Sequence, residues 1–290
     1  PTVPTGCHRA MSDWTAIVIA RPEDEGGPMA SRLPSFIHPV AGRPLVWHTV
    51  NSLVTAQDAP AQVIVLAPPQ YPFEFLDSVG LPVRVVPIGE SANADVAALA
   101  SETDEVIVIH ASACIDPLGL QRLRRAEPGD WIAGSENVAA AIVATPGELP
   151  PILSQEAPFA VASGRLDPLR KLDGVSGTFI VRTREDLARA HQRVRDGLIR
   201  TLMQGGVTFL APESVIVDVD VRIGRDTIIY PAVVLEGQTS IGEETVIGPG
   251  CRIIDSWIGS GVELKGWNYI ANTSVRNRAI LEPYVRRGFS

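Results

Sequence analysis

Cysteine is scarce in this chain. Cys7, Cys114 and Cys251 stand far apart, with neither the spacing of a metal site nor the density of a disulfide framework. That excludes a cystine-stapled scaffold and fits a reducing, cytoplasmic setting. Long apolar runs are missing too: no stretch approaches the roughly 20 residues a bilayer span needs, and no secretory apolar core follows the N-terminus. Positive charge is in deficit, with 25 Lys plus Arg against 33 Asp plus Glu and a net charge of −8. Neither a nucleic-acid nor a membrane partner is expected from such a balance. What is present is core-forming material, 45 % hydrophobic residues in 290, enough for two domains. Residues 1–12 read as an unstructured leader, and Met11 is a candidate start.

The last third carries the clearest pattern. Val217, Ile223, Ile229, Leu235, Ile241, Ile247 and Ile253 recur at every sixth position. Glycine follows several of these residues, as in Ile223-Gly224, Ile241-Gly242, Ile247-Gly248 and Ile258-Gly259. A sixfold period matches neither a helix at 3.6 nor a strand at 2. It matches a triangular β-solenoid in which each side contributes one inward aliphatic residue, with the small residue after it turning the corner. Lys265, Trp267 and Tyr269 interrupt the repeat and are expected to form a bulge or an edge cap, and Arg286 and Arg287 to finish the last coil or face solvent.

The first part alternates strands and helices. Trp14–Ala20 is a continuous apolar run of the kind found in a central parallel strand. Pro44 opens a helix, Val63–Ala67 and Val83–Pro87 follow as strands, Ala92–Ala100 as a helix, Val106–Ile109 as the fourth strand, and Asp116 caps a helix reaching Arg125. This order predicts a doubly wound α/β layer with right-handed crossovers, and such layers bind ligands at the carboxyl ends of their strands. Between Trp131 and Val181 short β-like runs (Ala139–Ala144, Phe159–Ala162, Thr178–Val181) are separated by turns. A helix capped by Thr183, with Asp186 three residues on, then carries the stripe Leu187, Val194, Leu198 and Leu202 and ends at Gly205-Gly206. Its arginines, Arg189, Arg193, Arg195 and Arg200, read as a solvated basic side.

Two stretches resemble the bifunctional N-acetylglucosamine-1-phosphate uridylyltransferase/glucosamine-1-phosphate acetyltransferase family: AIVIA, a Gly-containing loop and LPSFIHPVAGRPLVWHTV, then EDLARAHQRVRDGLIRTLMQGGVTFLAPESVIVD running into DVRIGRDTIIYPAVVLEGQTSIGEETVIGPGCRIIDSWIG. A middle stretch, GESANADVAALASETDEVIVIHASACIDP, is similar to isoprenoid-pathway cytidylyltransferases. The resemblance implies an α/β nucleotidyltransferase-like (Rossmann-like) domain over residues 13–182, a linker helix and connector over 183–213, and a left-handed parallel β-helix of hexapeptide repeats over 214–290. It also implies a homotrimer built through the β-helix and a nucleotide or sugar-phosphate ligand.

The chemistry such a family needs is only partly present. Nucleotidyl transfer uses a phosphate-cradling loop, cationic help and carboxylates holding Mg²⁺. Here the loop keeps Gly26 and Gly27 but carries Glu23, Asp24 and Glu25, and Ser35 stands where the resemblance implies a Lys. No carboxylate follows the fourth strand directly: the residue matching the family's metal-holding Asp is Ser112 in one alignment and Ala111 in the other. His110 is either a ligand contact or a histidine held in place by hydrogen bonds. The nucleotide-binding candidates are Ala20, Arg21, Gly26, Gly27, Arg32, Ser35, His110 and Ala111. No residue is assigned to catalysis or to a metal. The expectation is a non-catalytic or strongly altered trimeric binding or scaffold protein. The rival is an active, divergent sugar-1-phosphate nucleotidyltransferase whose Mg²⁺ sits on Glu23–Glu25 or Asp116. The sequence ends at Ser290, before the position at which the resemblance places a catalytic His, so acetyl transfer is not expected.

Overall fold

The computed structural model describes residues 14–22, 28–89, 92–135, 138–154, 158–160, 166–167, 170–172 and 177–288. The acidic loop Glu23–Glu25, its Gly26 and Gly27, and the leader 1–12 lie outside them. The chain divides into two compact units, one of Pro1–His38 with Pro44–Asp186, the other of Pro39–Arg43 with Leu187–Ser290.

The first unit is built on β1 (Trp14–Ile19), which is buried along its whole length. Its side chains alternate between two cores. Trp14, Ala16 and Val18 pack on one face with Val46, Val50 and Leu53 of α1 (Leu45–Val54). Ile17 and Ile19 pack on the other with Val96 and Ala100 of α2 (Ala92–Ala100). A strand with both faces covered has no polar side to show, which is why its sequence reads as an unbroken apolar run. The remaining sheet strands are β2 (Gln62–Ala67), β3 (Val83–Pro87), β4 (Glu105–His110), β6 (Trp131–Ser135) and β7 (Val138–Ala144). Their order is β3-β2-β1-β4-β7-β6, with β1 parallel to both neighbours and β7 antiparallel to β4 and β6. A separate two-stranded ladder joins β5 (Ala113–Cys114) to β8 (Phe179–Ile180). The helix α3 (Pro117–Leu123) starts at Asp116, whose side chain accepts the Gly119 amide.

The second unit is a left-handed parallel β-helix. Its strands, two or three residues long, stack into three parallel sheets. Inward residues form one apolar column: Val217, Ile229, Leu235, Ile241, Ile247, Ile253, Ile258, Leu264, Ile270, Val275 and Leu281 are all buried, whereas Ile223 is only partly so. The helix α5 (Arg184–Gln204) straddles the boundary between the units. Its last turns place Ile199 and Leu202 against the first coil's interior. The fully buried residues of α5 are Leu187, Ala190 and Ile199, while Val194, Leu198 and Leu202 are only partly covered, so the expected stripe is narrower and rotated. The hairpin tip Pro39–Arg43 also belongs to this unit: Arg43 pairs with Asp220 at 2.8 Å and Ala41 accepts the Val219 amide.

Two expectations about the solenoid change. The glycines after the inward residues do not turn the corners, since Gly224, Gly242, Gly248 and Gly259 lack positive φ. They clear room for the next coil: a Cβ on Gly242 would lie 2.5 Å from the Ser260 amide nitrogen, and one on Gly248 2.5 Å from the Leu264 carbonyl. The left-handed corner residue comes later and is often not glycine, as at Asp226, Ala232, Glu244, Asp255, Trp267, Asn272, Arg278 and Tyr284. The segment 265–269 is no bulge either. Leu264 and Ile270 hold the inward register, Trp267 is a corner residue stacked over Gly250, and Lys265 pairs with Glu282 at 2.6 Å. The break in period lies between Ile253 and Ile258 and again between Ile270 and Val275, where the coil drops from 18 to 17 residues. The outward faces are mixed: one runs Thr208, Ile228, Val246, Glu263, Ile280, the next Ile216, Val234, Arg252, Tyr269, Arg286, the third Arg222, Ser240, Trp257, Ser274. Among the described residues no helix is long and apolar enough to cross a membrane.

Candidate functional site

The carboxyl ends of β1 and β4 lie side by side because Ile19 pairs with His110 and the Ala111 amide donates to the Ile19 carbonyl at 3.1 Å. Two distant segments are drawn to the same place. The Thr49 hydroxyl of α1 meets the carbonyls of Ala111 and Ala113 at 2.9 and 3.0 Å, holding the turn after β4. The Val181 amide donates to the Ser112 carbonyl at 3.0 Å, which brings the residues after β8 beside the same turn.

Ser112 is the hub of this turn. It is fully buried, and its hydroxyl meets that of Ser35, also buried, at 2.6 Å. Its amide donates to Nδ1 of His110 at 3.1 Å, so Nδ1 is an acceptor and the neutral ring carries its proton on Nε2. The ring packs 5.2 Å from that of Phe159. Burial, with the Arg182 cation beside it, pushes the His110 imidazole down to about 4. A second histidine behaves alike. His38 is buried, its Nε2 lies 3.0 Å from the Ser31 hydroxyl, and burial plus the Arg184 cation hold it below its ordinary value against a hydrogen bond to Leu33.

The candidates read from the sequence divide in the fold. Ala20, Ser35, His110 and Ala111 come together at the strand ends, although Ala20 and Ala111 are fully buried and offer a ligand no side chain. Arg21 reaches across to the Leu153 carbonyl at 2.6 Å, where α4 (Leu149–Leu153) ends. Arg32 is exposed, and Gly26 and Gly27 lie outside the described residues. Sequence reasoning missed Arg182, Arg184 and His38. For the two arginines the only signal was the run VRTRED, which spans the start of α5 and reads equally well as a helix start; for His38 there was none.

The described residues at this turn do not make a Mg²⁺ site. A hard dication needs carboxylate or phosphate oxygens, and they supply the Ser35 and Ser112 hydroxyls and the His110 imidazole, with the Arg182 cation acting on that ring. Among the described residues no group of three or more His, Cys, Asp or Glu is placed to hold a metal. Asp116 is committed elsewhere: it caps α3, and a Cβ on Gly177 would lie 2.3 Å from its Oδ2. Asp186 is likewise engaged, accepting from the amides of Arg182 and Thr183 at 3.1 and 3.0 Å and from the Thr183 hydroxyl at 2.9 Å. Among the described residues neither Arg182 nor Arg184 forms a salt bridge.

Parts of the chain are similar to known proteins. Residues 220–255 match the family model described as bacterial transferase hexapeptide (six repeats). The bifunctional protein GlmU of Caldanaerobacter subterraneus subsp. tengcongensis is 38 % identical over 105 residues, 36 % of this chain and 23 % of that protein. The GlmU of Alkaliphilus oremlandii is 40 % identical over 115 residues, 40 % of this chain and 25 % of that protein. The match thus spans about a quarter of the length of these curated relatives. Among solved structures, a 4-diphosphocytidyl-2C-methyl-D-erythritol synthase aligns with a TM-score of 0.46 at 15 % identity, covering 62 % of this chain and 98 % of that one. The inositol-1-phosphate CTP transferase from T. maritima aligns at 0.45 with 14 % identity, covering 65 % of this chain and 98 % of that one.

Proposed function

We propose that this protein is a sugar-nucleotidyltransferase-like binding or scaffold protein, non-catalytic or strongly altered in catalysis, whose hexapeptide β-helix assembles it as a cytoplasmic homotrimer. The observation that carries the catalytic part is the buried Ser35–Ser112 hydroxyl pair, 2.6 Å apart. In the family the chain resembles, the matching positions carry a cation and a metal-holding carboxylate. Here two neutral hydroxyls satisfy each other and present no charge to a triphosphate. Transfer of a nucleotidyl group depends on neutralising charge that develops on the phosphoryl oxygens, so losing both groups costs orders of magnitude in rate. Trimer formation is supported by the hexapeptide repeat and by the likeness of part of the chain to the GlmU proteins. The scarcity and wide spacing of Cys7, Cys114 and Cys251 along the chain support a reducing compartment.

The test is pyrophosphate release from UTP or CTP in the presence of a sugar 1-phosphate, with and without Mg²⁺. The expected outcome is no turnover above the protein-free control. Mg²⁺-dependent turnover would instead favour the active, divergent nucleotidyltransferase, with Glu23–Glu25 as the metal site that its sequence makes available. That reading then requires Glu25→Ala to abolish the activity.

A further inference from the structure

We propose that the turn after β4 binds the phosphate group of a nucleotide or sugar phosphate directly, without a divalent cation, using Arg182 as the charge that meets it and Arg184 as its outer support. The inference rests on the binding-protein reading above and names the ligand chemistry of the same site.

The argument starts from charge. Arg182 stands at the end of a sheet where the α/β fold places its ligands, Arg184 follows two residues on at the start of α5, and neither has a carboxylate partner among the described residues. Arg182 is brought there by structure, not by chance: the Val181 amide is bonded to the Ser112 carbonyl, one residue before it. Asp186, the nearest acid in sequence, spends its carboxylate on the backbone at the start of α5. Both histidines register the charge: burial lowers each pKa most, and an arginine cation lowers it further, Arg182 for His110 and Arg184 for His38.

The remaining groups suit an anion better than a metal. The His110 proton lies on Nε2, and an imidazole N–H is a donor that a phosphate oxygen accepts. Arg182, half-buried, presents a planar fork matched to two phosphate oxygens. The same arginine would repel Mg²⁺, so the site exchanges one source of positive charge for another. An anion that brings no metal to this turn therefore meets less repulsion than its Mg²⁺ complex.

The experiment titrates inorganic pyrophosphate, UMP and glucose 1-phosphate into the full chain in EDTA, following melting temperature and calorimetric heat. Ligand that binds the folded state raises the melting temperature by mass action. At least one of the three is expected to raise it in EDTA, and the one that binds best separates a nucleotide source from a sugar-phosphate source. Added Mg²⁺ should weaken pyrophosphate binding, because it removes charge from the anion. Arg182→Gln should weaken binding tenfold or more and Arg184→Gln less, while Arg200→Gln, exposed near the far end of α5, should leave it unchanged. NMR titration of the His110 ring supplies a readout that a packing role would not move. Its pKa should rise in Arg182→Gln and rise in the wild type when the anion binds. Binding that requires Mg²⁺, no binding by any of the three anions, or unchanged affinity in both Arg182→Gln and Arg184→Gln would overturn the proposal. Turnover is scored separately: Mg²⁺-dependent activity removes the non-catalytic reading, whereas the EDTA titration decides the metal-free anion site.

Discussion

At the scale of single residues, the site is governed by groups that stay neutral. His110 has a folded-state pKa of about 4 against 6.5 for an unperturbed ring. Between those values the unfolded chain binds a proton that the folded one does not, so stability rises with pH through this window and is lost as pH falls from about 6.5 toward 4. The shift corresponds to at most about 3 kcal/mol from this one ring. Urea unfolding at pH 7 and pH 4.5 should show that loss in the wild type and a clearly smaller one in His110→Asn. The hydroxyl pair makes a second prediction. Ser35→Ala or Ser112→Ala leaves the other buried hydroxyl without its partner and should cost about 1–3 kcal/mol, while the double variant should cost less than the sum of the two. Additive costs in denaturant melts would show that the two hydroxyls do not depend on each other.

At the scale of elements, the coil corner divides two jobs between two residues. Where glycine follows the inward aliphatic, the next coil's backbone lies against it and leaves no room for a side chain, as at Gly242 beneath Ser260, whereas other turns carry Tyr230, Glu236 or Lys265 at this position. Two residues on, the chain turns left-handed, and that residue's amide reaches a carbonyl of the neighbouring coil: Glu244 to Arg225 at 3.0 Å, Arg278 to Ser260 at 2.9 Å, Trp267 to Pro249 at 2.7 Å. This bond offsets the steric cost of a side chain in that conformation. The two positions should therefore answer oppositely to substitution. Gly242→Ala should destabilise by about 1–3 kcal/mol through overpacking against backbone. Glu244→Gly should be neutral or stabilising by up to about 1 kcal/mol, because relief of left-handed strain is partly cancelled by the entropy of glycine in the unfolded chain. Thermal melts of both variants check this, and a loss in Glu244→Gly as large as that in Gly242→Ala would contradict the division. The caps follow ordinary rules: Asp116→Ala should cost about 1 kcal/mol of stability without creating or removing any dependence on Mg²⁺.

At the scale of the whole molecule, the β-helix carries the match to the hexapeptide family model and the α/β unit carries the candidate site. The outward faces of the β-helix mix isoleucine, valine and tryptophan with arginine and glutamate, so a trimer formed through them would combine apolar contact with charge pairing. Sedimentation at micromolar concentration should give a trimer that persists at 0.5 M salt. A monomer at low salt would refute it, and dissociation by salt alone would assign the contact to the charges.

Much of this was legible in the chain itself. The sixfold repeat determined the β-helix, because each side of a coil buries one residue and the period is a local property. The apolar run Trp14–Ile19 determined a central strand, and Asp116 and Thr183 determined where two helices begin, since a cap acts within three residues of itself. The loss of one residue per coil after Ile253 was not legible in the sixfold pattern: it arises where the left-handed residues Asp255 and Asn272 follow the inward residue by two positions instead of three. Nor was the site. Arg182 stands 70 residues from Ser112 in the chain, and no spacing rule connects them. The pairing of β8 with β5 brings them together, and burial then settles which groups there keep their charge. Local periodicity thus decided the architecture, and long-range pairing decided the chemistry.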